Sequence, residues 1–143
     1  MRLTTPSPPE MRILVLCPHF SPDLHAATGE VMTRLVESLA ERGHAVDVVT
    51  SLPWYRDHDV EPEWRGRPVR VEQTSFGSVT RVWPFPTDKG SVLSRGFAFI
   101  AQTALSLAVS VPKKRPDVVL AMSPPIFFGS AAQLLAKRFR VPF

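Results

Sequence analysis

MRILVLCPHFSPDLHAATGEVMTRLVESLAERGHAVDVVTS, residues 11–51, reads as strand, long glycine-containing loop, amphipathic helix and strand. Ile13, Leu14, Val15 and Leu16 form an unbroken apolar run, the pattern of a parallel strand covered by helices on both faces. From Val31 onward the apolar residues Val31, Met32, Leu35, Val36, Leu39 and Ala40 recur at helical spacing, with Glu30, Arg34, Glu37, Glu41 and Arg42 mostly opposite. Thr28 is placed to cap the first turn, Glu30 sits at the positive end of the helix dipole, and Gly43 suits the left-handed residue that ends a helix. Val46, Val48 and Val49 supply a second strand that emerges at Thr50 and Ser51. Elements of these lengths make a right-handed crossover, so the predicted class is α/β: a Rossmann-like parallel sheet with helices on both faces. Ligands of such sheets bind beyond the carboxyl ends of the strands, which directs attention to the loop 18–28 and to the residues after Thr50.

Composition fits that reading. The 143 residues are 44% hydrophobic, enough for one ordinary domain core. The single cysteine, Cys17, rules out an internal disulfide and suits a reducing compartment, where it reads as a buried strand residue. The net charge of +4 is unevenly spread. After Asp88 the only acid is Asp117, against Lys89, Arg95, Lys113, Lys114, Arg115, Lys137, Arg138 and Arg140. No nucleic-acid module is recognisable, so the basic half points instead to an anionic membrane surface or a phosphorylated ligand. Residues 1–10, MRLTTPSPPE, lack the apolar core of a signal peptide and are expected to be a disordered leader, with Met11 as a natural start.

The first loop carries no G-x-G-x-x-G, and the second strand ends in Thr50 and Ser51 rather than an acid that would hold a ribose, which argues against a dinucleotide-dependent dehydrogenase. His19, Asp23 and His25 have the residue types of metal ligands, but nothing fixes their geometry and no further ligand cluster is near; no metal is expected. His44, next to Gly43, reads as a turn residue. Between Leu52 and Arg67 the aromatics Trp54, Tyr55 and Trp64 suit either a sugar-stacking acceptor groove or a satellite core beneath a loop.

Further along, Val69, Val71, Val79 and Val82 around Phe76 and Gly77 read as a hairpin that extends the sheet edge. Residues 91–111, SVLSRGFAFIAQTALSLAVSV, are nearly free of charge and long enough to cross a bilayer at ~1.5 Å per residue. Arg95, Gln102 and four serines favour a packed or interfacial crossover helix over insertion. Lys113, Lys114 and Arg115 at its end suit anionic headgroups or the negative helix terminus. Residues 117–122 then read as a strand ending at Ser123. Residues 126–138 read as a helix with Phe127, Phe128, Ala131, Leu134 and Leu135 inward, and Val141–Phe143 as the opening of another strand.

MRILVLCPHFSPD (11–23), LAERGHAVDVVTS (39–51), LPWY (52–55) and RPDVVLAMSPP (115–125), in this order, resemble the amino-terminal domain of family-4 glycosyltransferases, retaining enzymes of the GT-B fold, and within them the colanic-acid subgroup. The resemblance runs over residues 11–143. It implies that Gly29, with Thr28 beside it, lies where backbone amides approach the donor phosphates and sugar. Many members have two adjacent glycines there, and many have a histidine where this chain has Ser123, so no catalytic residue is transferred. Trp54, Tyr55 and Ser123 are the acceptor-groove candidates, and Lys113, Lys114 and Arg115 the membrane-surface candidates.

The implied activity is sugar transfer from a nucleotide-sugar donor to a lipid-linked or polysaccharide acceptor in cell-surface glycan synthesis, without metal or other cofactor. The implied location is the cytoplasm, peripheral to the inner face of the plasma membrane. The nucleotide is held in that family by a carboxyl-terminal domain, which these residues do not include; on this reading the chain is the acceptor-side part of the enzyme and inactive alone. The rival reading is a non-catalytic membrane-surface or partner-binding module.

Overall fold

A computed structural model describes residues 10–87, 91–111, 113–123 and 126–143. Along the chain run β1 (Arg12–Leu16), α1 (Ala27–Glu41), β2 (Ala45–Ser51), a 3₁₀ turn (Pro62–Trp64), β3 (Val69–Thr74), β4 (Gly77–Val82), α2 (Val92–Ser110), β5 (Val118–Ala121) and α3 (Ile126–Phe139). The five strands form one sheet in the order β3-β4-β2-β1-β5. β4, β2, β1 and β5 are parallel, while β3 pairs antiparallel with β4, so the expected hairpin closes one edge and makes the sheet mixed. Of the leader expected over residues 1–10, only Glu10 lies among the described residues.

β1 is central, as its apolar run requires. Ile13 and Val15 point to one face, where they meet Met32 and Val36 of α1 with Val46 and Val48 of β2. Leu14 and Leu16 point to the other, against Phe128, Ala131, Ala132 and Leu135 of α3. Burying four such side chains on both faces removes apolar area worth ~1.5–3 kcal/mol each, which fixes this strand in the middle. Gly43 takes φ +87 and closes α1 with its N–H on Ala40 O. His44 completes the corner: its Nδ1 accepts from Met11 N at 3.3 Å.

Several expectations about faces need correction. α1 starts at Ala27 with Ala26 in the capping position and no side-chain cap, so Thr28 is already inside the helix. Its buried stripe is Gly29, Met32 and Val36, while Val31 and Leu35 are exposed. In α3 the buried stripe is Phe128, Ala131, Ala132, Leu135 and Ala136; Phe127 and Leu134 face outward, because the small Ala132 and Ala136 let the helix sit close to Leu14 and Leu16. Val141–Phe143 form no strand, although Val119 N donates to Pro142 O at 3.0 Å along the outer side of β5.

α2 is the packed crossover helix expected between β4 and β5, lying against α3, β2 and β4. Its orientation is inverted relative to an ordinary core helix. Buried are Ala98, Gln102, Ser106 and Ser110, one residue per turn; exposed are Val92, Leu93, Phe97 and Ile100.

Candidate functional site

The carboxyl ends of β1, β2 and β4 carry the loops that gather at one end of the sheet. The loop after β1 is fastened at both sides. Ser51 Oγ donates to Pro18 O at 2.6 Å, and Ser21 N donates to Thr33 Oγ1, which in turn donates to Gly29 O at 2.7 Å. Arg81 of β4, itself buried, donates to Ser21 O and to Glu72. Trp64 lies over this guanidinium with its ring centre 4.9 Å away, and over that of Arg70 at 5.3 Å. Trp64 is therefore a cover on an arginine cluster, the satellite-core role.

Trp54 and Tyr55 belong to a different cluster, around His19. Within the fastened loop His19 Nδ1 lies 2.9 Å from Asp23 Oδ2, and Trp54 N donates weakly to the same oxygen at 3.5 Å. Asp23 is 1% exposed and its Oδ1 has no partner among the described residues. An ionised carboxylate only accepts, so Nδ1 is the donor to it, and in the neutral imidazole Nε2 is then the acceptor. The imidazole stacks on Trp54 (centroids 5.8 Å, planes 28° apart) and meets Tyr55 edge-on at 5.1 Å. His58 closes against both aromatic rings. No group of three or more metal-ligating side chains occurs among the described residues; His19 and Asp23 bind each other.

Two hollows open beside this cluster and share Tyr55 and Phe99. One, about 370 Å³, is bounded by Pro18, His19, Ala27, Thr28 and those two rings. The other, about 320 Å³, has Trp54, His58, Arg95 and Gln102 in its wall. Gln102 is 2% exposed and its Nε2 has no partner among the described residues, so a donor is held at the edge of an otherwise mostly apolar cavity.

Sequence-derived candidates fare unevenly. Thr28 borders the first hollow at the start of α1, where helix amides favour an anion. Gly29 is buried beneath the loop: a Cβ there would run into the Asp23 carbonyl, and its N–H already donates to Ala26 O at 2.8 Å. Trp54 and Tyr55 are brought to the hollows; Ser123, exposed after β5, borders neither. Lys113 is half-buried and turned inward, with Nζ 3.2 Å from Ser78 Oγ; burial lowers its pKa, opposed by the charge of Asp47. Lys114 and Arg115 remain exposed. The His19–Asp23 pair and the contributions of Arg95, Phe99 and Gln102 escaped the sequence reading. The one signal was Gln102, a lone amide in an apolar helix.

Residues 27–143 match the glycosyl transferase 4-like domain. The chain belongs to this family. The match begins at the first residue of α1, so the loop with His19 and Asp23 precedes it. The α/β glycosyl transferase domain anticipated from the sequence is thus present. The chain is 29% identical over 132 residues to WcaI of Escherichia coli (strain K12), whose name assigns it to colanic acid biosynthesis as a glycosyl transferase. That alignment covers 89% of this chain and 31% of WcaI, so the family member described here spans about a third of that relative's length. In fold, it is similar to the C-terminal domain of PF1911 hydrogenase from Pyrococcus furiosus (TM-score 0.52, 17% identity, covering 99% of this chain and 96% of that one). The catalytic domain of starch synthase IV from Arabidopsis thaliana, bound to ADP and acarbose, superposes at TM-score 0.48 with 17% identity, over 79% of this chain and 28% of that one.

Proposed function

We propose that this domain is the acceptor-side lobe of a retaining transferase, which moves a sugar from a nucleotide donor to a lipid-linked or polysaccharide acceptor of the cell surface. The observation that carries the reading is the pair of adjoining hollows at the strand tips, divided by Tyr55 and Phe99. Aromatic faces stack on sugar rings, and Gln102 and Arg95 supply donors for hydroxyl or phosphate oxygens in the groove formed with Trp54. On the other side of Tyr55, His19 Nε2 is an acceptor for an incoming hydroxyl, oriented by Asp23.

The leaving phosphate belongs at the first turn of α1, where the amides of Ala27 and Thr28 border the first hollow and stabilise developing negative charge. Gly29 serves this arrangement by letting the loop lie against the helix, rather than by presenting its own amide, which is already bonded. The nucleotide is held by a second domain. The chemistry needs no metal, and the working place is the cytoplasmic membrane face.

The test joins this chain to the donor-binding domain of a family member and follows sugar transfer into a lipid extract. Trp54→Ala and Gln102→Leu are expected to raise the acceptor KM by tenfold or more with the donor KM unchanged. Unchanged acceptor kinetics in both variants, or a change confined to the donor, overturns the assignment.

A further inference from the structure

We infer that the outer face of α2 is a membrane-docking surface that lies in the plane of an anionic bilayer. The inference rests on α2 itself and not on the chemistry at the strand tips. α2 turns its polar residues inward: Gln102, Ser106 and Ser110 are buried, and Gln102 Nε2, Thr103 Oγ1, Ser106 Oγ and the buried Thr80 Oγ1 of β4 have no partner among the described residues. Outward it presents Leu93, 87% exposed, Phe97, 71% exposed, and Ile100, with Val92 alongside and Ala104 continuing the stripe. A helix that packs its hydroxyls against the protein and its aromatic and aliphatic side chains outward matches an apolar surrounding better than water.

The helix is long and apolar enough to cross a membrane by length and composition. Its place in the fold opposes crossing: α2 joins β4 to β5, both within one sheet, and lies along β2, β4 and α3. Only one side of it is open, so it can lie on a bilayer but not traverse one.

The occupant is argued from charge. α2 contains no acid, and Lys114 and Arg115 are exposed just past its last turn. A strip of apolar side chains in a helix without acids, followed by two exposed cations, complements an anionic lipid surface, its side chains in the acyl boundary and Lys114 and Arg115 among the headgroups.

The experiment is co-sedimentation of the chain with vesicles of phosphatidylcholine alone or with one-third phosphatidylglycerol, at low and high salt, with circular dichroism as the check on folding. Wild type is expected to bind the anionic vesicles at least tenfold more tightly than the neutral ones, less so at high salt. Leu93→Ser with Phe97→Ser, both at exposed positions, is expected to abolish binding with the spectrum unchanged. Lys114→Glu with Arg115→Glu, which leaves the apolar stripe intact, is expected to weaken it severalfold and remove the salt dependence. Folded wild type that ignores anionic vesicles, or a serine variant that binds them as well as wild type, overturns the inference. So does a soluble dimer, seen by sedimentation, that the serine variant dissociates without any vesicle binding by wild type.

Discussion

Gly29→Ala is the substitution whose sign separates two accounts of α1. In an isolated helix, replacing glycine by alanine adds up to about 1 kcal/mol of stability. Here the new methyl would be driven onto the Asp23 carbonyl oxygen, with the carbonyl carbon at 3.2 Å and His19 Cβ at 3.4 Å. The obstacle is backbone, and that backbone is fixed by the cluster it belongs to: Asp23 Oδ2 holds His19 at 2.9 Å, and Ser21 N is held by Thr33. Moving the loop disturbs these contacts together. Overpacking of this kind costs roughly 1–3 kcal/mol. After a helix gain of about 1 kcal/mol, a net loss of up to about 2 kcal/mol is expected. With a urea slope of roughly 1–3 kcal/mol per molar, each kcal/mol lost lowers the unfolding midpoint by about 0.3–1 M. Tryptophan fluorescence reports it, and Trp54, stacked on His19, should shift its emission in the folded variant. Gly96, inside α2 with no atom within 4 Å of the place a methyl would take, is the internal control: Gly96→Ala is expected to stabilise by about 0.5–1 kcal/mol. If Gly29→Ala also stabilises, the loop is not seated on α1 and the reasoning about Gly29 is wrong.

Asp23→Ala strips the buried partner from His19 and from the Trp54 amide, and a loss of about 1–3 kcal/mol in chemical denaturation is expected, with NMR of the imidazole showing a changed tautomer balance. Phe128→Ala empties the space beneath α3 beside Leu14 and Leu16, and thermal unfolding should report about 3–5 kcal/mol less stability with the β-sheet signal retained. Burial pushes the Cys17 thiol up from 9.0 to about 12, opposed only in part by the neighbouring Thr50 hydroxyl and the charge of Arg81. Because the unfolded thiol ionises first, the stability this neutral group confers is complete below pH 9 and declines as pH rises toward 12. Unfolding titrations above pH 9 should therefore fall more steeply for wild type than for Cys17→Ala, by up to about 1.4 kcal/mol per pH unit, and the native thiol should resist disulfide reagents at pH 8.

How far the sequence reached is clearest in the contrast between β1 and α2. A run of four apolar residues has one solution in an α/β sheet, a strand covered on both sides, and Ile13–Leu16 adopt it. The hairpin was equally legible, since a turn between alternating valines brings β3 and β4 together locally. Periodicity was less exact about faces. α1 and α3 have apolar residues over an arc wider than the stripe their neighbours cover, so Val31, Phe127 and Leu134 read as inward yet lie outside. In α2 apolar residues surround the helix almost evenly, so periodicity carried no preference for a face; the packing of Ser106 and Gln102 against the rest of the fold decided it.

The candidate site divides along the same line. Local chemistry in the sequence marked the strand tips, the start of α1 and the aromatic pair Trp54 and Tyr55, because loop positions follow from where strands end. That His19 is oriented by Asp23, that Trp54 closes on both from 31 positions beyond Asp23, and that Gln102 reaches the same cavity depended on contacts between elements distant in the chain. Such contacts leave no periodic trace, since each is fixed by the relative placement of three elements and not by the propensity of any one. The sequence by itself determined the main strands and helices, their order and the family; only the tertiary structure decided which faces met and which polar groups, among the described residues, were left without a partner.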